Sequence, residues 1–228
     1  MSPSVAYKMS ILKNKLYAQY LHVRQGALHR QLIEGRRILV CGSGPTAADL
    51  HVIPADMVCM TCNAGLKLFD RDGMRDRVDV YICAERKLER KGVLPIFDRV
   101  KIKYYMSAKI RDLRRHESIV RATGKFLIYD GLGNYYKDRL FSDQTFRSKH
   151  PLSTAVKLVE YALYYKPKSI HLSGIDLNNE GYYWGGVNQQ KHIVSDREFL
   201  LAASSKFKNI FVTSEKSPLI PSIPYCPL

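Results

Sequence analysis

The chain has 228 residues, 46% of them hydrophobic, and a formal net charge of +15. That is the composition of a globular protein, long enough for one α/β domain or one domain with a small appendage. No apolar run approaches the ~20 residues of a membrane span, and no signal-peptide core precedes a cleavage site. A cytoplasmic or peripheral protein is therefore expected. The charge suits nucleic acid, an anionic membrane surface or phosphorylated substrates, without choosing among them.

Residues 1–37 read as a basic helical preface, with Leu12, Leu16, Tyr20, Val23, Ala27 and Leu28 at helical spacing. Lys8, Lys13, Lys15, Arg24, Arg30, Arg36 and Arg37 surround that stripe. Two roles fit: a helix packed on the domain edge, or an amphipathic surface resting on anionic lipid.

From residue 38 onward a single domain is expected. Ile38 to Cys41 reads as a strand, Gly42-Ser43-Gly44-Pro45-Thr46 as a turn, and Ala47 to Leu50 as the start of a helix. Met57 to Thr61 and Val78 to Cys83 are further strands. Between Glu85 and Lys125 the pattern gives a helix near Leu88 to Phe97, a strand at Val100 to Tyr105 and a helix near Ala108 to Val120. Phe126 to Tyr129 makes a short strand. Asp130 to Lys149, rich in Gly, Asn, Asp and Tyr, reads as a lid or active-site loop. Pro151 to Tyr165 is the clearest helix, capped by Ser153 or Thr154 and ended by Pro167. Ser169 to Ser173 is a strand, Asp196 to Phe207 a helix, and Ile210 to Thr213 a last strand before an extended, Pro-rich tail. Alternating strands and helices imply a mostly parallel sheet with helices on both faces and a ligand crevice outside the strands' carboxyl ends.

Cys41, Cys59, Cys62, Cys83 and Cys226 make an odd number, and Cys41, Cys59 and Cys83 lie in strand-like runs, so reduced core thiols are expected. Cys59 and Cys62 have CxxC spacing, but no second pair follows at finger spacing and the motif does not open a helix.

Small and polar residues recur at the strand exits: Gly42 to Thr46, Asn63, Ala84 with Glu85, then Gly174 with Asp176. Taken together they predict a nucleotide crevice, although each alone is ordinary turn chemistry. "GSGPT" is neither GxGxxG nor a P-loop, so the standard NAD and ATP fingerprints are absent. Ser153-Thr154 at a helix start suits a phosphate or a plain N-cap. His192, His150, Asp176 and Glu85 are the acid–base candidates; His192 sits in a polar loop before the last helix. Asp176 can instead brace its loop through backbone amides.

"GSGPT", "CNAG" and "LSTAVKLVEYALYYKPKSIHLSGIDL", followed by a tyrosine loop and a His before the last helix, resemble in order the bacterial sialyltransferases that modify lipooligosaccharide. The chain is also similar to the related lipopolysaccharide-core transferases of 3-deoxy-octulosonate (Kdo), which its tail "SPLIPSIPYCPL" favours. The resemblance runs from Arg37 to the C-terminus. It implies a variant Rossmann-type domain with a lid, around 130–150, 178–195 or both, that uses a CMP-activated sugar acid without metal or other cofactor.

Carried over by position, Gly42, Ser43, Gly44, Pro45, Thr46 and Asn63 line the CMP site, and Ser153 and Thr154 hold the phosphate. Ser173, Gly174 and Asp176 lie beside the cytidine. Tyr182 or Tyr183 assists the departing phosphate, and His192 is the base on the acceptor hydroxyl. Arg139, Arg147 and Lys149 are candidate donor or acceptor contacts. The chain departs from the pattern at Ser43, at Thr154-Ala155, at Leu177-Asn178 and at Ala84-Glu85. The implied reaction inverts the anomeric centre. Its acceptor is an anionic glycolipid or oligosaccharide reached at the inner-membrane surface, with no nucleic acid involved and a homo-oligomer an open possibility. Two rival readings stand. One is a nucleic-acid binder tracking a backbone with the Lys, Arg and Tyr residues from Lys101 to Arg121. The other is a pyrophosphokinase-like enzyme holding Mg²⁺ through Asp70, Asp72 and Asp76.

Overall fold

The computed structural model describes residues 12, 16, 17, 20–83, 92–107, 125–128, 140, 141, 151–178, 181–184 and 192–228. The elements are α1 (Gly26–Ile33), β1 (Arg37–Cys41), β2 (Met57–Cys62), β3 (Val78–Ile82), β4 (Ile102–Ser107), β5 (Phe126–Ile128), α2 (Thr154–Tyr164), β6 (Ser169–Ser173), α3 (Ile193–Lys206) and β7 (Ile210–Val212). Every strand pair is parallel, and the seven strands lie in the order β5-β4-β3-β2-β1-β6-β7. This is the expected α/β Rossmann-like sheet. The chain builds outward from β1 to β5, then returns to place β6 on the other side of β1. Between β1 and β6 lies the topological switch point, where open parallel sheets bind ligands.

Both faces of the sheet are buried, which explains near-continuous apolar strands such as Met57–Cys62. On one face Ile38, Val40, Met60 and Val80 pack against α1, α2 and α3 through Ile33, Val159 and Phe199. On the other, Leu39, Cys41, Cys59, Tyr81 and Tyr105 meet Leu66, Phe69 and Ile96. The latter belong to 3₁₀ turns: Asn63–Phe69 after β2 and Leu94–Ile96 before β4, with Pro45–Asp49 after β1. The helix expected from Ala47 is thus a 3₁₀ turn that begins at Pro45, where proline needs no N–H partner.

Other boundaries also moved. The last helix starts at Ile193, three residues early, with His192 as its N-cap. The tail is folded into turns, with one parallel bridge from Tyr225 to Val212, and is not simply extended. Cys41, Cys59, Cys62 and Cys83 are buried and in no disulfide, as expected of core residues, and burial raises the Cys59 thiol well above its usual range. The expected helix at 108–120 and residues 84 and 85 lie outside the described residues, as do His150, Arg139, Arg147 and Lys149; of the expected lid at 130–150 only Leu140 and Phe141 are described, and Phe141 is buried in the core beside Phe199.

The apolar stripe of the preface is divided: Leu16 is 58% and Val23 72% exposed, Leu12 and Tyr20 are also exposed, and Leu28 is partly buried against the core. The docked side carries His22, His29, Leu32 and Ile33. His29 Nδ1 lies 2.7 Å from the Tyr161 hydroxyl, and its ring stacks on Tyr165. His22 Nε2 lies 3.3 Å from the Tyr165 hydroxyl. His22 and His29 thus meet two tyrosines, Tyr161 of α2 and Tyr165 just beyond its end, while Leu12, Leu16, Tyr20 and Val23 stay exposed.

Burial, with a smaller contribution from His22, lowers the pKa of His29 to about 3. The unfolded chain therefore binds the proton that the folded chain refuses. The stability contributed by neutral His29 is complete above pH ~6.5 and is lost as pH falls toward 3. Denaturant unfolding should show stability falling with acidification by up to about 1.4 kcal/mol per pH unit from this residue. His29→Gln should flatten the profile between pH 6.5 and 4; parallel profiles would remove His29 as its cause.

Candidate active site

Three segments converge at the carboxyl edge of β1, β2 and β6. The first two are the turn after β1 and the exit of β6, which are zipped together. Gly42 N–H donates to Ser173 O (2.8 Å), Gly44 N–H to Gly174 O (2.9 Å) and Gly174 N–H to Thr46 Oγ1 (3.1 Å). Asp176 closes the zip: Thr46 N–H donates to its Oδ2 at 2.9 Å, and the Thr46 hydroxyl donates to Oδ1. Asp176 is 2% exposed. The bracing role available to Asp176 is the one the structure contains.

The glycines serve the same contact. A Cβ on Gly42 would sit 2.1 Å from the Gly174 carbonyl oxygen, and one on Gly44 would sit 2.4 Å from Asp176 Oδ2. Gly174 has φ +64°. Their missing side chains face one another across the switch point. The open face of the crevice is left to Ser43 and Asn63, both half-buried. Asn63 takes a left-handed φ of 48°, its carbonyl accepts from the Tyr81 hydroxyl (3.0 Å), and its Oδ1 accepts from Cys83 Sγ at 3.4 Å.

The third segment is the tyrosine knot after β6. Tyr183 N–H donates to Ser43 O at 3.1 Å, which carries the knot over the exit of β1. Beyond it, Lys67 Nζ lies 4.7 Å from the Trp184 ring centre, and Arg71 Cζ 5.1 Å from that of Tyr183. Tyr182 stacks on Trp184 at 4.6 Å with the rings 6° from parallel. The knot is thus a strap from β6 to the segment after β2. Burial pushes the Tyr183 hydroxyl up to about 12 although Arg71 opposes the shift, so Tyr183 is a neutral donor at pH 7. Lys67, Arg71 and Trp184 were not singled out from the sequence; the only available signal was a cation four and eight residues past Asn63.

The helices bring a second group to this edge. The end of α2 meets the start of β1, since Gly35 N–H donates to Lys166 O (3.1 Å) and Lys168 N–H to Arg36 O (2.8 Å). α2 therefore runs antiparallel to the strands and starts at their carboxyl edge. α3 does the same, ending beside Asn209, whose amide donates to Pro167 O and Lys168 O. At the start of α2, Ser153 Oγ accepts from Val156 N–H at 3.4 Å, the cap expected of it, and Thr154 opens the helix.

His192 caps α3 and is half-buried. Its Nδ1 lies 2.6 Å from Pro151 O. A carbonyl only accepts, so Nδ1 carries the hydrogen and the lone pair of the neutral ring is on Nε2. Asp196, one turn along α3, accepts Ser153 N–H at 2.8 Å. Burial raises its carboxyl above the usual range, against the Ser153 contacts and the charges of His192 and Lys157.

Of the residues expected from sequence, Gly42, Gly44, Thr46, Ser173, Gly174 and Asp176 share one hydrogen-bonded unit, with Ser43 and Tyr183 against it. Ser153, Thr154 and His192 form a second group at the same edge, and Pro45 opens the 3₁₀ turn that follows the zip. Two of the three acids that the rival reading assigned to Mg²⁺ pair with arginines: Asp70 binds Arg99 at 2.6 Å and Arg75 at 3.6 Å, and Asp72 lies 3.5 Å from Arg75. Among the described residues no cluster of His, Cys, Asp and Glu suits a metal ion. A cavity of about 520 Å³ opens at the opposite, amino edge between Leu32, Met57, Arg77 and Lys103, away from these groups.

No family model and no curated protein sequence matches the chain. Solved structures do. The sialyltransferase CstII from Campylobacter jejuni, in complex with the substrate analogue cytidine-5'-monophosphate, aligns over 85% of this chain and 86% of its own, at 16% identity and TM-score 0.55. The α-2,3-sialyltransferase from C. jejuni in apo form aligns over 84% and 80%, at 16% identity and TM-score 0.54. CstII is also described with a trisaccharide acceptor and CMP, at 15% identity and TM-score 0.55 over 84% and 86%. The chain has the fold of these sialyltransferases.

Gly42→Ala should place a methyl group against backbone that cannot rotate away. We expect a loss of about 1–3 kcal/mol, the usual cost of overpacking, measured by denaturant unfolding. Gly26→Ala, where a Cβ meets nothing within 4 Å, should be neutral or stabilising. Equal stabilities for the two variants would contradict the zip.

Proposed function

We propose that the protein is an inverting glycosyltransferase that moves a 3-deoxy-ulosonic acid, of Kdo or sialic acid type, from a CMP-sugar to an acceptor hydroxyl. The observation that carries this reading is the meeting, at the carboxyl edge, of the α2 N-terminus with a histidine whose hydrogen is held on Nδ1. The likeness to CMP-bound sialyltransferases across most of the chain supports it.

In this reading CMP lies along the crevice beside Ser43, Asn63 and Gly174. Its phosphate meets the Ser153 and Thr154 hydroxyls at the positive end of α2. The acceptor O–H gives its proton to His192 Nε2 as the oxygen bonds to the anomeric carbon. The anomeric C–O bond breaks on the far side, and CMP leaves with the electron pair. The departing phosphate is met by the helix N-terminus and by the hydroxyl of Tyr182 or Tyr183, preorganised donors that need no metal. Tyr183 has the better-supported position, because its N–H is tied to Ser43 O at the exit of β1. The Asp70–Arg99 pairing weighs against the pyrophosphokinase alternative.

CMP with EDTA present should raise the melting temperature, whereas a short oligonucleotide should not. His192→Ala should keep that shift and lower transfer from CMP-Kdo or CMP-sialic acid by about 10²–10⁴. A protein indifferent to every cytidine nucleotide would refute the reading.

The acceptor in this reading is an anionic glycolipid at the inner face of a membrane. The exposed Leu12, Leu16, Tyr20 and Val23, next to Arg24 and Arg30, support contact with that surface. No helix among the described residues is long and apolar enough to cross a membrane. Sedimentation should carry the protein down with anionic phosphatidylglycerol vesicles and not with phosphatidylcholine, and Leu16→Glu with Val23→Glu should abolish this. Unchanged sedimentation of that double variant would exclude the stripe.

A further inference from the structure

Asp196 presents a problem that helix capping does not solve. It is 1% exposed, lies in the first turn of α3, and reaches across to the residue that caps α2. One oxygen, Oδ1, accepts Ser153 N–H; the other, Oδ2, is buried without a hydrogen-bond partner. An orphaned buried carboxylate oxygen costs stability, and a side-chain amide would supply the same single acceptor without a charge to bury. Buried polar groups left in this state point to a role beyond packing.

The geometry shows what the group controls. His192 and Asp196 are one turn apart on α3, and Asp196 N–H donates to His192 O at 2.8 Å. Pro151 and Ser153 are two residues apart on the segment entering α2. Two hydrogen bonds of opposite sense join these segments: His192 Nδ1–H to Pro151 O, and Ser153 N–H to Asp196 Oδ1. Either bond alone leaves a pivot, and the two together fix the relative position of the segments. The same bonds set the His192 tautomer, because Pro151 O stays opposite Nδ1 only while Ser153 is held.

We propose that Asp196 is a positioning residue: by gripping the Ser153 amide it keeps Pro151 O on His192 Nδ1, so that the Nε2 lone pair is presented at the start of α2. This rests on the transferase reading for its consequence in turnover, though not for its geometry.

The test uses the full chain with ¹⁵N-labelled histidine, where the ring shifts distinguish Nδ1–H from Nε2–H. In Asp196→Ala the His192 signals should move from the Nδ1–H form toward a mixture of tautomers. Turnover should fall by about 10²-fold, the usual cost of a small misplacement, with the CMP-induced rise in melting temperature retained. Asp196→Asn keeps the acceptor oxygen and should restore both the tautomer and most of kcat. If the alanine variant does not fold, Asp196→Ser, polar but one bond too short to reach Ser153, takes its place. An unchanged Nδ1–H tautomer in a folded Ala or Ser variant overturns the proposal, and so does failure of Asn to rescue. The tautomer measurement needs no substrate. A wild-type protein that ignores CMP would therefore sink the transferase reading and leave the positioning role to be judged on the nitrogen shifts.

Discussion

The whole site depends on the zip between the turn after β1 and the exit of β6. Two parallel strands that are far apart in sequence end side by side at the switch point, and their loops must approach closely enough to share hydrogen bonds. Gly42 and Gly174 allow this because neither has a side chain to hold the backbones apart. Thr46 and Asp176 then hold the contact from inside, the carboxylate accepting from both the amide and the hydroxyl of one residue. A carboxylate buried to this degree is tolerable only because its acceptor positions are met by donors of fixed geometry. With the two exits locked, the loops beyond them have a stable base. The tyrosine knot starts from that base and reaches over Ser43 to Lys67 and Arg71.

The site divides into two halves of different construction. The crevice over β1, β2 and β6 is built from backbone and short side chains, so its shape follows from strand positions. The half at the helix starts is built from side chains crossing between α2 and α3, so its shape follows from how two helices sit on one sheet face. That face also receives α1, whose His29 bonds Tyr161 of α2. The helix that offers its N-terminus to the site is held from behind by the docked preface and in front by Asp196. A buried histidine makes the first contact and a buried acid the second.

Much of this was legible in the sequence. The strand–glycine turn at Ile38 to Thr46, the largely apolar run Met57 to Thr61 and the capped helix after Ser153 identified a parallel sheet. Periodicity and turn chemistry act locally, and these elements form where the local signal says. The preface was legible only in part. Its apolar spacing was real, but spacing names the face that avoids water and does not say which partner covers it. On the domain that place is taken by His22 and His29, which hydrogen-bond two tyrosines roughly 130 to 140 residues away. Asp196 was passed over because an acid in the first turn of a helix is ordinary, and its contact with Ser153 spans 43 residues.

By itself, then, the amino-acid order determined the α/β class, the positions of most strands, the glycine turns and the small set of polar residues from which a site could be made. Those are properties of short stretches, set by backbone freedom, apolar spacing and capping. Only the tertiary structure decided what each residue faces. Gly42 and Gly174 face each other and leave the crevice wall to their neighbours; Asp176 faces Thr46; His192 faces a carbonyl that fixes its hydrogen. Parallel pairing with β1 brought Ser173 back beside Cys41 across more than a hundred residues, and no local signal carries information over that distance.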